Sequence, residues 1–103
     1  MNIQVPTAIL DGSVLSLLEK EDTYGYIITK TMQDLFQVSD STMYPVLRRL
    51  KKDEYLETYD EPFEGRIRRY YKITEKGKQR LDEIKNDWQL FNKSANELLG
   101  GKK

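Results

Sequence analysis

The chain has 103 residues, of which 38% are hydrophobic and 33% are charged, and its formal net charge is zero. This length and composition are typical of one globular domain with a modest core. The sequence contains neither cysteine nor histidine, which excludes a disulfide scaffold and removes the usual zinc ligands, neutral-pH general base and thiol nucleophile.

Several classes of protein are disfavoured by what the sequence lacks. No stretch approaches the roughly 18 continuous apolar residues of a membrane-spanning helix. The first residues carry no cluster of positive charge, so we expect no secretory signal. A chain without cysteine is typical of a reducing cytoplasm, where we expect this protein to act. We identify no catalytic residues, metal ligands or cofactor-binding motif, so an enzyme is a remote alternative.

The charges are distributed unevenly along the chain. Residues 1–40 have two bases against six acids, a net charge of −4. Residues 41–80 have eleven bases against seven acids, a net charge of +4, and the remaining residues balance. Positive charge concentrated in one segment is typical of a protein that binds a polyanion such as DNA.

Three helices are predicted in the first half of the chain, and a tight turn joins the last two. Apolar residues recur at helical spacing over residues 7–19 and again over residues 21–36. After the short segment 37–39, a third helix begins with Ser39 as its predicted N-cap and Asp40 in its first turn. A helix, a tight turn and a short helix form the helix-turn-helix pattern.

The third helix has an apolar side and a side suited to DNA. On a helical wheel of residues 41–52, the side that packs inward consists of Met43, Val46, Leu47 and Leu50. The predicted DNA-binding side consists of Ser41, Thr42, Tyr44, Pro45, Arg48, Arg49 and Lys52. Hydroxyl groups and arginines donate to phosphates and base edges, and an apolar ring can contact a thymine methyl group. The alternative is a solvated basic face near a helix C-terminus, but the preceding helix and turn favour DNA contact.

The hydrophobic period changes after residue 53. Residues 55–59 and 67–73 are rich in tyrosine, isoleucine and threonine, as strands are. The intervening DEPFEG contains the turn residues Pro62 and Gly65. These segments predict a β-hairpin, which acts as a wing when it follows a helix-turn-helix.

Basic residues follow the predicted turn of this hairpin. Arg66, Arg68 and Arg69 are predicted to contact DNA, because guanidinium groups on a loop can lie along phosphates or enter a minor groove. The alternative is pairing with acids such as Asp60 and Glu61 on the opposite strand. We favour DNA contact for Arg66 and Arg68, and both interpretations stay open for Arg69.

A long helix is predicted at the end of the chain, with Thr74 as its N-cap. Its apolar residues follow heptad spacing: Leu81, Ile84, Trp88, Phe91, Ala95 and Leu98. A helix over residues 74–99 would be about 39 Å long, which exceeds the width of a domain of this size. We therefore expect this seam to pack against a second copy in a two-fold dimer, with folding back onto its own domain as the disfavoured alternative.

These elements predict a mainly α fold with a small β-hairpin. It is a winged helix-turn-helix over residues 1–73, followed by a long C-terminal dimerisation helix over residues 74–103, and the two form one compact unit.

Three segments resemble the PadR family of bacterial transcriptional regulators: YGY at residues 24–26, STMYPVLRRL at residues 41–50 and GRIRRYYKITEKG at residues 65–77. The resemblance implies a homodimeric repressor that binds operator DNA and is often released by a small molecule or a stress signal. It also implies that the first helix, with Ile9 and Leu10, contributes to the dimer interface. Family members often have proline and glycine near the start of the recognition helix, where this chain has Asp40 and Ser41.

The resemblance gives Trp88 two candidate roles. In some PadR-like multidrug regulators a tryptophan at the matching place stacks planar drugs, which would make Trp88 and Phe91 a site for a small planar ligand. The simpler role is packing within the dimer, which we favour. An alternative function for the whole chain is a protein-interaction module whose last helix binds a different partner.

Overall fold

The computed structural model describes residues 2–100, which form four helices and three strands. Their order is α1 (Thr7–Lys20), β1 (Thr23–Tyr24), α2 (Gly25–Phe36), α3 (Asp40–Lys52), β2 (Leu56–Phe63), β3 (Arg66–Ile73) and α4 (Glu75–Leu99). The predicted fold class, a mainly helical winged helix-turn-helix with a long C-terminal helix, is confirmed. The predicted outer boundaries at residues 1 and 103 lie outside the described residues. Within residues 2–100, no helix combines the length and hydrophobicity needed to cross a membrane.

The sheet has three antiparallel strands in the order β1-β3-β2, one strand more than the predicted hairpin. β2 and β3 pair along their full length, so the loop between them is only Glu64 and Gly65. These two residues have φ values of 51° and 78°, as in the type I′ turn that suits the twist of a hairpin. Pro62, predicted as a turn residue, instead lies in β2, where an edge strand tolerates its missing N–H.

A single core lies between α1, α2, α3, the sheet and the first half of α4. All four apolar residues predicted for the inner side of α3 are buried in it. Three residues predicted for a dimer interface, Leu10, Leu81 and Ile84, are also buried there, with exposures of 5%, 1% and 5%. This corrects their assignment, because α1 and α4 pack against each other within one chain and leave these side chains little surface for a second one.

Side-chain caps begin α3 and α4, as predicted. The Oγ of Ser39 accepts a hydrogen bond from the N–H of Thr42 at 3.3 Å, and the Oγ1 of Thr74 accepts one from the N–H of Gly77 at 2.9 Å. These bonds satisfy N–H groups that the first turn of a helix leaves unpaired. Thr74 also donates to the carbonyl oxygen of Glu54 at 2.7 Å, which fixes the start of α4 beside the start of β2.

The close approach of α4 to the chain before β2 makes Gly77 a sensitive position. A Cβ atom there would collide with the carbonyl oxygen of Tyr55 and lie 2.8 Å from Cγ1 of Ile73. We expect Gly77→Ala to lower the free energy of unfolding by about 1–3 kcal/mol, the usual cost of overpacking. We expect the upper part of this range, because the clash involves a backbone atom, which cannot move aside as a side chain can. This destabilisation exceeds the gain of about 1 kcal/mol that alanine brings over glycine within a helix.

Urea denaturation of the Gly77→Ala variant tests this expectation. Gln79→Ala is the matched control, because Gln79 is exposed two residues later on the same helix. The control should be neutral or slightly stabilising. If Gly77→Ala and Gln79→Ala unfold at the same urea concentration, a side chain at position 77 does not clash with Tyr55, and the prediction is wrong.

Candidate nucleic-acid interface

The outer side of α3 presents most of the predicted DNA-binding residues to solvent. The exposed ones are Ser41, Thr42, Tyr44, Pro45, Arg48 and Lys52. Three hydroxyl groups cluster at the start of the helix, because the Oγ of Ser39 lies 2.9 Å from that of Ser41 and 3.2 Å from the Oγ1 of Thr42. The surface therefore offers hydroxyl groups at one end of the helix and cations at the other.

Residues of α2 that are absent from the predicted DNA-binding set extend this surface. The Nε2 of Gln33 donates to the Oδ1 of Asp40 at 3.0 Å, which links α2 to the first turn of α3. Tyr26 and Lys30, both exposed, line a shallow cleft together with Tyr44. Their spacing of four residues on one helical face is the signal that could have identified them, because the first helix of this motif crosses the DNA backbone.

Arg49 is directed toward α1 and away from the exposed side of α3. Its Nη1 donates to the Oδ2 of Asp11 at 3.0 Å and its Nη2 donates to the Oδ1 at 2.6 Å. The Asp11 side chain is only 7% exposed. The hydrogen bond from Arg49 to Asp11 raises the pKa of the guanidinium above its ordinary value. Both terminal nitrogens of Arg49 are thus engaged by a buried carboxylate, which favours a structural role over the predicted DNA contact.

Arg68 is held between two aromatic rings of the sheet. Its Cζ lies 3.9 Å from the ring centroid of Tyr24 and 3.6 Å from that of Phe63. A guanidinium over a ring face is attracted by the quadrupole of the ring. The predicted DNA contact of Arg68 therefore competes with a structural role in fixing the wing to β1.

A row of tyrosines continues this aromatic layer across all three strands. The ring of Tyr70 stacks on Tyr59, with centroids 5.6 Å apart and planes at 14°, and meets Tyr24 edge-on at 5.7 Å. The hydroxyl of Tyr59 donates to the Oδ2 of Asp22 at 2.7 Å, and this bond raises the pKa of Tyr59 to about 12. These contacts set the orientation of the wing relative to the segment before α2.

The other two wing arginines differ in what they contact. The Nε of Arg69 donates to the Oδ1 of Asp60 on the opposite strand at 3.2 Å, which is the pairing that the sequence left open. Both side chains are about half exposed, at 58% and 49%, so this ion pair contributes little to stability. Arg66 is exposed beside Gly65 at the tip of the wing. Arg66 therefore has the best position of the wing arginines for reaching a phosphate.

The second half of α4 carries uncovered apolar side chains. Trp88, Phe91 and Leu98 of the predicted seam are 44%, 63% and 89% exposed, whereas Ala95 is partly buried. The rings of Trp88 and Phe91 are 6.1 Å apart with planes at 34°. Trp88 also lines a groove of about 460 Å³ between α1, α2 and α4, to which the partly buried Ile9 contributes. Exposed apolar surface of this kind is typical of a site that binds a partner.

Residues 14–83 match a family of known proteins, the transcriptional regulator PadR-like family. The chain belongs to the PadR family. A structure from Streptococcus mutans UA159 is similar to this PadR protein with a TM-score of 0.89 and 30% identity, covering 100% of this chain and 97% of that one. A PadR-like transcriptional regulator from Bacillus cereus has a TM-score of 0.81 and 32% identity, covering 91% and 94%. A transcriptional regulator from Mycobacterium tuberculosis is 38% identical over 66 residues, which are 64% of this chain and 59% of that protein.

Membership in the PadR family makes this chain a winged-helix, DNA-binding protein of transcription regulation. Transcriptional regulators are not an enzyme class. In the part of the chain that the structure describes, no group of three or more acidic side chains is arranged to hold a metal ion. In a winged helix-turn-helix the second helix of the motif is the recognition helix, which is α3 in this PadR protein.

The two wing arginines Arg68 and Arg66 should differ in their effect on stability. We expect Arg68→Met to lower the free energy of unfolding by about 1 kcal/mol, because the contacts with Tyr24 and Phe63 are lost. Arg66→Met is the matched control and should change it by less than about 0.5 kcal/mol, as exposed positions usually do. Guanidinium denaturation of both variants measures the difference, and equal effects would contradict a structural role for Arg68.

Proposed function

We propose that this PadR protein is a homodimeric repressor that binds operator DNA through α3 and the tip of the β2–β3 wing. The observation that best supports the proposal is the exposed side of α3, with hydroxyl groups at its start and Arg48 and Lys52 toward its end. The major groove of DNA admits a helix, and these side chains bind phosphates and base edges there. Tyr44 and Pro45 lie between the two sets and supply apolar surface for a thymine methyl group.

The wing supplies a second contact with DNA in this proposal. Arg66 is at the tip of a two-residue turn, and the aromatic layer of the sheet holds the wing behind it. An exposed guanidinium on a rigid support can bind a phosphate with little further loss of conformational freedom. Such a contact would add affinity for any duplex, because phosphates carry no direct sequence information.

The dimer in this proposal is supported by the uneven burial of α4. The helix has 25 residues, but its buried ones, Gly77, Leu81 and Ile84, all lie in its first half. The exposed apolar residues of the second half would gain about 25 cal/mol for each Å² that a second copy covers. A two-fold dimer would carry two copies of α3, and such pairs bind half-sites about 34 Å apart on one face of DNA.

The proposal also includes release from the operator by a small planar molecule or a stress signal. Its support is Trp88, which is 44% exposed and lines the groove beside α1. Phe91 extends the aromatic surface by one helical turn. A ligand that stacked on these rings at a subunit interface would bias the relative position of the subunits, and with it the spacing of the two α3 helices.

Two arginine variants test the DNA contacts. Arg48→Ala should abolish the preference for a duplex that the wild-type protein selects from a randomised library, because Arg48 reads bases. Arg66→Ala should weaken binding to selected and unselected duplexes alike. It should reduce the salt slope of the dimer by about 1.8 log units per log unit, because each subunit loses one phosphate contact worth about 0.9. Gel shifts over a salt series measure both effects. Lys78→Ala is the control, because Lys78 is paired with Glu75 on α4 at 3.2 Å.

Unchanged binding by both Arg48→Ala and Arg66→Ala would remove the proposed interface. A wild-type protein that selects no duplex at any salt concentration would remove the proposed function itself.

A positive charge placed among the exposed apolar residues in the second half of α4 tests the homodimer. We expect Phe91→Lys to convert the dimer into a monomer at micromolar concentration, because burying an unpaired ammonium group costs several kcal/mol. Gln89→Lys, at an exposed polar position of the same helix, should leave the dimer intact. Sedimentation velocity measures the mass of each variant. A wild-type chain that sediments as a monomer would instead favour a different partner for α4.

A further inference from the structure

Among the ion pairs of residues 2–100, the pair between Asp11 of α1 and Arg49 of α3 combines a buried carboxylate with two hydrogen bonds. The donor–acceptor distances are 3.0 Å and 2.6 Å, and the two residues are 38 positions apart in the sequence. The Asp11 side chain is 7% exposed, whereas that of Arg49 is 40% exposed. Because the carboxylate is removed from water, it depends on this guanidinium for most of its compensation.

The geometry of the pair restricts how α3 can rotate or slide against α1. Two parallel N–H···O bonds from a planar guanidinium to a carboxylate fix direction as well as distance. The apolar contacts of α3 are different, because hydrophobic burial is non-directional and tolerates small rotations. The other described side-chain hydrogen bond from α3 to a neighbouring helix, between Asp40 and Gln33, is at its first turn and is exposed.

We propose that Arg49 is a positioning residue, and that its pair with Asp11 sets the rotation of α3 so that Arg48 points toward DNA. This inference rests on the proposed DNA-binding function and deepens it. Arg48 and Arg49 are adjacent, so they project about 100° apart around the helix axis. A helix rotation that broke the pair would therefore also turn Arg48 away from the bases it reads.

A loss of DNA binding in an Arg49 variant has two possible explanations, and they predict different results. If Arg49 contacts a phosphate, its loss weakens binding to every duplex and lowers the salt slope of the dimer by about 1.8 log units per log unit, about 0.9 for each subunit. If Arg49 only positions α3, its loss weakens binding to the selected duplex, while binding to unselected duplexes and the salt slope are retained. Replacing both partners with apolar residues should then restore the stability of the fold, because no buried charge is left unpaired. It should not restore selective binding, because an apolar contact does not fix the rotation of α3.

The test uses three variants of the full chain: Arg49→Met, Arg49→Lys and the double variant Asp11→Leu with Arg49→Met. The probes are the duplex selected by the wild-type protein from a randomised library and an unselected duplex of the same length. We expect Arg49→Met to bind the selected duplex roughly a hundredfold more weakly, because the dimer loses one positioned base contact, worth about tenfold, in each of its two subunits. Arg49→Lys should also be weaker, because lysine keeps the charge but cannot form the paired bonds.

The double variant should fold with near wild-type stability but bind the selected duplex about as weakly as Arg49→Met does, with an unchanged salt slope. It also keeps the test valid if Arg49→Met fails to fold, which circular dichroism would reveal. The proposal is overturned if the double variant binds the selected duplex as wild type does, if either variant with Met at position 49 has a reduced salt slope, or if Arg49→Lys binds as wild type does. If the wild-type protein does not bind DNA, the proposed function itself is refuted. That result differs from the outcomes that overturn only the positioning role of Arg49.

Discussion

The packing of α3 against the core is the constraint on which the DNA-facing surface depends. Only one side of this helix is apolar, and its four inward residues are all buried. Burial of such side chains is worth roughly 1.5–3 kcal/mol each, which together exceeds the about 3 kcal/mol that Pro45 can cost within a helix. The periodicity that buries these residues also turns the hydroxyl groups and Arg48 outward. Stability and the exposed recognition surface therefore come from the same helical repeat.

Features with a local cause could be predicted from the sequence. The caps Ser39 and Thr74 and the inner side of α3 depend on residues within one or two helical turns, and the structure confirms them. Features that depend on residues far away in the sequence could not be predicted in this way. β1 has two residues, too few to show a strand period, and β2 extends through Pro62 only because β3 pairs with it. Likewise, the sequence around Arg48 and Arg49 does not indicate which of the two arginines binds a carboxylate on α1.

Counting charges in the sequence overestimates the positive charge available to DNA. The net charge of +4 in residues 41–80 includes Arg49, which is paired with an acid outside that segment. Arg69 is paired across the hairpin, and Arg68 lies between two rings. Of the five arginines predicted to contact DNA, only Arg48 and Arg66 have no described ion pair or ring contact. If the protein is the proposed homodimer, base contacts and the joining of two subunits would add to the affinity that the remaining arginines and lysines such as Lys52 supply.

One turn of α1 connects the surface that faces DNA with the surface around α4. Asp11 binds Arg49 of α3, and the next residue, Gly12, lets α4 approach so closely that a Cβ atom would lie 2.7 Å from Cγ2 of Ile84. The backbone of α1 is therefore in direct contact with α4 at Gly12. A displacement of α3 relative to α1 is resisted by the paired hydrogen bonds. These contacts connect α3, α1 and α4 at a single turn. In a dimer joined through α4, the spacing of the two α3 helices would therefore follow the geometry of that joint.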